Sequence, residues 1–325
     1  MSHQALRAVN ELEPRSHREA PDARRRIGAR IFDFSREVAV MAIVNRTPDS
    51  FFDQGATFAF DKALDAAKAA VRDGADIVDV GGVPFGHGPA VSLDEEIARV
   101  VPLIEAIREI CGVAISVDTH VAEVARRSIA AGANVVNDTS GLRDPEMAGT
   151  LAGTDAMLVL THSAAPPRSA PSAARYADVV GEVVTFLHDR VARAVAAGVA
   201  LERLIVDPGF DLNKNTWHSL ELVRRLDEIV AIGLPTLVAV SNKDFIGETL
   251  HREKAKRLEG SLAAAVICIM KGARIVRMHD VPAAVAATRM TEAVLGFRAP
   301  SYVRHNAGGA SPLPARRETD EVLGE

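Results

Sequence analysis

Aromatic side chains make up only 4% of the 325 residues, and the chain has two cysteines and one tryptophan. So few rings leave no stacking surface for nucleic-acid bases. A net charge of −5 gives no basic footprint for a phosphate backbone. No apolar run approaches membrane-spanning length, so the chain is expected to be soluble. The N-terminus has no apolar signal core, which points to the cytoplasm. Cys111, at a helix end, and Cys268, inside an apolar helix, show no metal-ligand spacing and read as reduced and structural. No GxGxxG follows the first strand, which counts against a dinucleotide-binding fold.

What is present is a repeat of one unit. With 48% hydrophobic residues the chain can bury a full core. Residues 38–298 alternate short β-branched runs with amphipathic segments: VAVMAIVN (38–45), DIVDVGG (76–82), AISVDTH (114–120), NVVNDTS (134–140), DAMLVLTHS (155–163), LIVDPGF (204–210), PTLVAVSNK (235–243) and RIVRMHDV (274–281), each followed by a helical stretch. The helices repeatedly end at Gly, which is C-cap chemistry. Eight βα units in this length predict a single closed (β/α)₈ TIM barrel of the α/β class. Residues 1–37 and 299–325, polar and Pro/Gly/Ser-rich, read as flexible tails. Trp217 at a helix start reads as packing at the barrel rim.

Each run ends in a polar residue: Asn45, Asp79, Asp118, Asn137, His162, Asp207, then Ser241-Asn242-Lys243, then Arg277 and His279. Capping accounts for some of these, but eight out of eight predicts a polar ligand site at the barrel mouth. Asp207 stands at the centre of it. It closes a buried strand and Pro-Gly follows, so it is expected to face the cleft. Carboxylates with amides suit a flat heterocycle offering several N–H donors, and Lys243, Arg277 and His279 suit phosphate.

These residues resemble dihydropteroate synthase. The matching pieces are MAIVNRTPDSFFDQGATF, ADIVDVGG, ISVDTH, GANVVNDTSGLRDPEM, IVDPGF…K, LVAVSNKDFIGETL and GSLAAA…GARIVRMHDV, in order across residues 40–295. The family joins 6-hydroxymethyl-dihydropterin pyrophosphate to p-aminobenzoate and releases pyrophosphate. The resemblance implies that Asp118, Asn137 and Asp207 read the pterin edges, with Asp79 supporting them and Lys243 over the ring. It also implies that Asn45 holds Mg²⁺ on the pyrophosphate, that Arg277 and His279 bind its oxygens, and that Lys243, Arg277 and His279 carry the catalysis. A homodimer through the later helices goes with it.

The departures cluster. The family's Ser-Thr-Arg-Pro-Gly loop is here Val83-Pro84-Phe85-Gly86-His87-Gly88, and its Ser-Arg-Lys-Ser is Ser241-Asn242-Lys243-Asp244. Thr161, Leu212 and Arg46 also depart from the pattern, Arg46 being a candidate replacement for the lost loop arginine. Asp244 would meet the p-aminobenzoate carboxylate, a like-charge repulsion of roughly 1–4 kcal/mol at about 4 Å in a partly desolvated pocket. The pattern resembles the second dihydropteroate-synthase-like paralogue of actinobacteria, regarded as having little or no synthase activity. It implies a pterin-binding homologue with weak or absent synthase activity and an open choice of amine. The alternatives are an active synthase and a non-catalytic partner of a folate enzyme. A corrinoid methyltransferase domain fits the phosphate set less well.

Overall fold

Side chains along a strand alternate between its two faces, and here that alternation separates a barrel interior from the layer beneath its helices. The structure, a computed structural model, describes residues 23–46, 60–84, 86–170 and 173–305. Its main sheet holds eight parallel strands: β3 (Ala39–Asn45), β4 (Ile77–Gly81), β5 (Ala114–Asp118), β6 (Val135–Asp138), β7 (Met157–Thr161), β8 (Leu204–Asp207), β9 (Leu237–Val238) and β10 (Ile275–Met278). Neighbours follow chain order from β3 to β8, and β3 also pairs with β10, which pairs with β9. A bridge between Val206 and Thr236 joins β8 to β9 and closes the ring. The predicted barrel is therefore present.

Helices cover the outside: α1 (Phe60–Arg72), α2 (Leu93–Ile110), α3 (Ala122–Ala130), α4 (Met147–Ala152), α5 (Val179–Ala196), α6 (Thr216–Arg224), α7 (Leu226–Val230), α8 (Asp244–Leu250), α9 (Leu258–Met270) and α10 (Val281–Val294). Two differ from the sequence reading. The stretch expected as one helix after β8 divides at Arg225 into α6 and α7, and α8 opens directly behind the loop at Ser241–Lys243. The seventh strand was expected over residues 235–243 but spans two residues, because only β10 and the Thr236 bridge engage it.

The parity is consistent around the ring. Val40, Val78, Ile115, Val136, Leu158, Val206, Val238 and Val276 pack outward in the large cluster under the helices. Met41, Ile77, Ala114, Val135, Met157, Ile205, Leu237 and Ile275 form a separate inner cluster at the N-terminal end of the barrel. One or two steps further along the same interior parity polar residues appear: Asp79, Ser116, Asp118, Asn137, Thr161, Asp207 and Arg277. The lumen is thus oil below and charge above.

Residues 24–33, read from sequence as part of a tail, instead form an antiparallel hairpin, β1 (Arg24–Ile27) with β2 (Arg30–Asp33). It plugs the bottom of the barrel. Ile27, Phe32 and Phe34 join the inner cluster, and Phe34 stacks on Phe32 with centroids 5.5 Å apart. Burying each such side chain is worth about 1.5–3 kcal/mol. The arginines hid this from a composition reading: Arg24 and Arg26 face outward, Arg25 and Ile27 alternate inward, and Arg30 lies over the Phe32 ring and pairs with Asp76. Residues 1–22 and 306–325 lie outside the described residues. Below the plug, Arg289 pairs with Asp76 at 3.0 Å and Glu292 at 3.2 Å, and Glu292 accepts from the Val38 N–H, tying α10 to the start of β3.

Candidate functional site

A cavity of about 760 Å³ opens at the C-terminal end of the barrel, ample for a small organic ligand. Asn45, Asp118, Lys243, Arg277 and His279 line it, as do Leu212, Asn242, Asp244 and Gly86. Asp79, Asn137 and Asp207 are buried in its floor and do not line the open space. Phe85 lies outside the described residues.

The floor is one interlocked set. The interior parity of β4, β5, β6 and β10 brings four predicted residues together. Arg277 donates from Nε to Asp79 Oδ2 at 2.6 Å and from Nη2 to Asp118 Oδ2 at 2.8 Å. Asn137 Nδ2 donates to the same Asp79 oxygen at 3.4 Å. Burial works to lower the Arg277 pKa, but the carboxylates of Asp79 and Asp118 outweigh it and hold the guanidinium above its ordinary value. Burial pushes the Asp118 carboxyl up to about 7 against the pull of Arg277. Asp79 Oδ1, Asn137 Oδ1 and Ser116 Oγ are buried and have no hydrogen-bond partner among the described residues. Buried unpaired acceptors cost about 1–3 kcal/mol each, which a ligand bearing N–H donors would recover.

Asp207 ends β8, and its carboxylate accepts from the Gly209 N–H at 2.7 Å. Gly209 adopts φ +67°, and a Cβ there would run into the His162 carbonyl, so the turn needs glycine. Burial raises the Asp207 carboxyl to about 6, opposed by the Gly209 N–H and by Lys243, Lys214 and Arg277. Burial also lowers the Lys243 ammonium, while Asp211 and Asp207 favour its charge. Ser241 Oγ lies 2.9 Å from His279 Nδ1 and accepts from the His279 main-chain N–H at 3.2 Å, fixing the imidazole at the mouth.

Three sequence expectations about the rim fail. Asp244 was expected in a partly desolvated pocket. Its side chain is 68% exposed and pairs with Arg257 at 2.9 Å, so solvent and a cation screen the repulsion assigned to it. Arg46 does not replace the missing loop arginine. It donates to the carbonyls of Ala98 and Arg99, on the α2 side of the loop and away from the cavity lining. Trp217 is 73% exposed, so it does not pack the rim. His162 also leaves the set at the mouth, resting its ring edge-on to Phe186 beside Lys214. Thr161 Oγ1 is buried and without a hydrogen-bond partner among the described residues.

Three further residues shape the outer compartment: Lys214, which the sequence offers as the lysine of IVDPGF…K, and Arg168 and Asp211, which sequence reasoning missed. Lys214 Nζ donates to the carbonyls of Gly209 (2.9 Å) and Leu212 (3.1 Å) and lies 2.8 Å from His162 Nδ1. Burial lowers its pKa to about 7 and that of His162 to about 3. Arg168, in the loop after β7, donates to the carbonyls of Pro84 (2.6 Å) and Pro89 (2.8 Å), while His87 Nδ1 lies 3.0 Å from the Arg168 carbonyl. It straps two loops together across the mouth. Asp211, in the loop after β8, accepts from the main-chain N–H groups of Asp244 (2.5 Å) and Phe245 (3.4 Å) and from Ser219 Oγ at 3.1 Å. Arg168 and Asp211 carry no sequence signature, since their main-chain partners lie some thirty to eighty residues away in the chain.

The sequence profile of the pterin binding enzyme family matches residues 41–279. A protein of Mycobacterium leprae named inactive dihydropteroate synthase 2 is 46% identical over 268 residues, 81% of this chain and 92% of that protein. The dihydropteroate synthase of Escherichia coli K12 is 42% identical over 260 residues, covering 80% and 92%. The solved structure of Xanthomonas albilineans dihydropteroate synthase in complex with 7,8-dihydropteroate superposes with a TM-score of 0.75 at 37% identity, covering 84% of this chain and 98% of that one. Fold and sequence agree, and the chain belongs to the pterin-binding family of dihydropteroate synthase and its homologues.

Proposed function

We propose that the barrel mouth binds 6-hydroxymethyl-dihydropterin pyrophosphate and that p-aminobenzoate transfer is weak or absent. The observation that carries this reading is the contrast at the mouth. The Asp79–Asp118–Asn137–Arg277 floor is intact and holds acceptors without partners, while the rim that would seat the amine is rebuilt. A reduced pterin presents a row of N–H donors to Asp118, Asn137 and Asp207, which read them as acceptors.

In the transfer reaction, the amine nitrogen bonds to the pterin methylene carbon as the carbon–oxygen bond to pyrophosphate breaks, and the amine then loses a proton. No covalent nucleophile is needed, so catalysis is the stabilisation of the leaving group's charge. Lys243 and His279 line the cavity where that charge would develop. Arg277 is held by two carboxylates and reaches the phosphates only by exchanging one of them. Mg²⁺ fits the donors present only as a partner of the substrate. Among the described residues no group of three His, Cys, Asp or Glu could cage a metal. Asn45 lines the cavity with a neutral oxygen, and Mg²⁺ suits one such ligand beside phosphate oxygens and water. Bound there, the ion would neutralise the leaving pyrophosphate.

Two further parts of the reading concern the whole protein. A homodimer is supported by the outer faces of α9 and α10, where Ile267, Met270, Met290 and Val294 are exposed together on adjacent helices. Sedimentation of a monomer would remove that part. The sequence-based expectation of a cytoplasmic location goes with a folate-pathway role, and no described helix is long and apolar enough to cross a membrane.

Calorimetry with pterin pyrophosphate and Mg²⁺, followed by a radiolabelled p-aminobenzoate assay, tests the proposal. Saturable binding with turnover far below about 1 s⁻¹ is expected. Absent binding overturns it, and turnover near that value makes the chain an active synthase instead.

A further inference from the structure

On the wall that the loop after β8 gives this cavity, a carboxylate supplies what the neighbouring helix lacks. The first N–H groups of a helix have no partner within it. Helix α8 starts at Asp244, and the residue in front of it is Lys243, which lines the cavity and has no side-chain oxygen to cap with. Asp211 does the capping from 33 residues earlier. Its Oδ2 accepts from the N–H groups of Asp244 (2.5 Å) and Phe245 (3.4 Å), and Ser219 Oγ donates to its Oδ1 at 3.1 Å. Arg257 grips the other side of the same turn, donating to the carbonyls of Asn242 (2.9 Å) and Lys243 (3.1 Å). Asp211 at φ +63° and Asn242 at φ +57° are both left-handed, a conformation that non-glycine residues keep only where their surroundings enforce it. The backbone around Lys243 is thus clamped from both sides.

Given the pterin reading above, which places Lys243 beside the pyrophosphate, we infer that Asp211 is the positioning residue for Lys243, capping α8 from the β8 loop and holding a negative charge against the lysine that faces the ligand. The charges around Lys243 single out the same carboxylate. Burial lowers the Lys243 ammonium, and Asp211 opposes that more than Asp207 or Asp244 does, while Arg277 and Lys214 repel it. Lys243 is in turn the main charge pulling the Asp211 carboxyl down against its own burial. Without the charge on Asp211 the lysine gives up its proton at lower pH.

NMR of protein carrying isotope-labelled lysine reads the Lys243 titration directly, with its signal assigned by its loss in Lys243→Met. Asp211→Asn keeps an oxygen for the N–H groups and removes the charge. Asp211→Gly suits the left-handed backbone and removes the cap as well. Both variants should lower the pH midpoint of Lys243 by at least about half a unit, which a merely structural hydrogen bond would leave in place. Asp244→Ser should move it less, since that carboxylate is exposed and paired with Arg257. Only Asp211→Gly should also speed amide hydrogen exchange at Asp244 and Phe245, by at least about tenfold. In calorimetry with pterin pyrophosphate and Mg²⁺, the alkaline fall in affinity should begin at lower pH in both Asp211 variants. An unmoved midpoint in both, or unaltered exchange at Asp244 and Phe245 in Asp211→Gly, overturns the inference. Titration and exchange are read without ligand, so they judge Asp211 even where the wild type fails to bind pterin pyrophosphate, a failure that counts against the pterin reading alone. Should Asp211→Gly unfold, the midpoint in Asp211→Asn decides.

Discussion

The floor and the rim of this mouth are held by opposite kinds of bond. On the floor side chain meets side chain. Arg277 bridges Asp79 and Asp118, Asn137 leans on Asp79, and every member is rooted on a strand at fixed register. On the rim side chain meets main chain: Arg168 on the Pro84 and Pro89 carbonyls, Lys214 on Gly209 and Leu212, Asp211 beneath the N–H groups of 244 and 245. A side-chain network cannot lose one member without stranding a buried charge. Main-chain groups are present whatever the residue, so a rim anchored to them tolerates rewriting of its loops. That asymmetry gives a physical reason why a floor fixed residue by residue can stand beside a rim whose loops are free to vary.

The most severe way to break the comparison is to remove the floor's cation. Arg277→Ala leaves Asp79 and Asp118 facing each other in a buried layer, and a broken buried pair costs about 3–5 kcal/mol. Urea unfolding followed by circular dichroism should show that loss as a lower midpoint. A loss below about 1 kcal/mol would mean the floor is no more cooperative than the rim.

Much of this was legible in the chain. Polar residues fall at the interior parity of successive strands, so Asp79, Asp118, Asn137, Asp207 and Arg277 could be placed around one mouth before any coordinates existed. The closed barrel followed from the count of βα units. The hairpin at 24–33 was hidden because its charged residues outnumber Ile27 and Phe32, and only the sealing of a barrel bottom gives those two a place to bury. Asp244 drew attention through a motif, whereas the carboxylate that shapes the wall is Asp211, some thirty residues earlier. No local pattern encodes a hydrogen bond to an N–H that far along. Arg168 sits in a Pro/Ser/Ala loop without periodicity, and its carbonyl partners have no residue identity to read.

Titration separates the two regions by sign. Asp118 and Asp207 are raised to about 7 and about 6 by burial. Between the ordinary carboxylate range and those values the folded state binds more protons than the unfolded one. Ligand-free stability therefore falls as pH rises through that window. Binding of an N–H-rich pterin runs the other way, since it needs ionised acceptors, and its affinity should rise about tenfold from pH 5.5 to 8. On the rim, burial lowers Lys214 to about 7. Above that value the folded state binds fewer protons, so stability recovers as pH climbs toward the ordinary lysine range. Urea midpoints should pass through a minimum near neutral pH, and calorimetry should show the opposing trend in affinity. Asp207→Asn should flatten the affinity profile. An unaltered profile in that variant would remove Asp207 from the set that reads the ligand.

The gentlest test sharpens the comparison by cutting the rim alone. Arg168 holds φ +58° and gives two of its guanidinium nitrogens to carbonyls five residues apart, while a Cβ at Gly88 would strike that guanidinium. The strap fixes the loop after β4 without touching Arg277, Asp118 or Asp207. Arg168→Ala should therefore speed amide hydrogen exchange at Gly86, His87 and Gly88, where local opening is now restrained. Pterin pyrophosphate affinity should change by less than about threefold, because truncating a partly exposed side chain leaves the strand-borne acceptors in register. A tenfold loss of pterin affinity would show that the two regions act as one body. Gly88→Ala, which loosens the same contact from the other side, should reproduce the exchange pattern if the strap is what orders the loop.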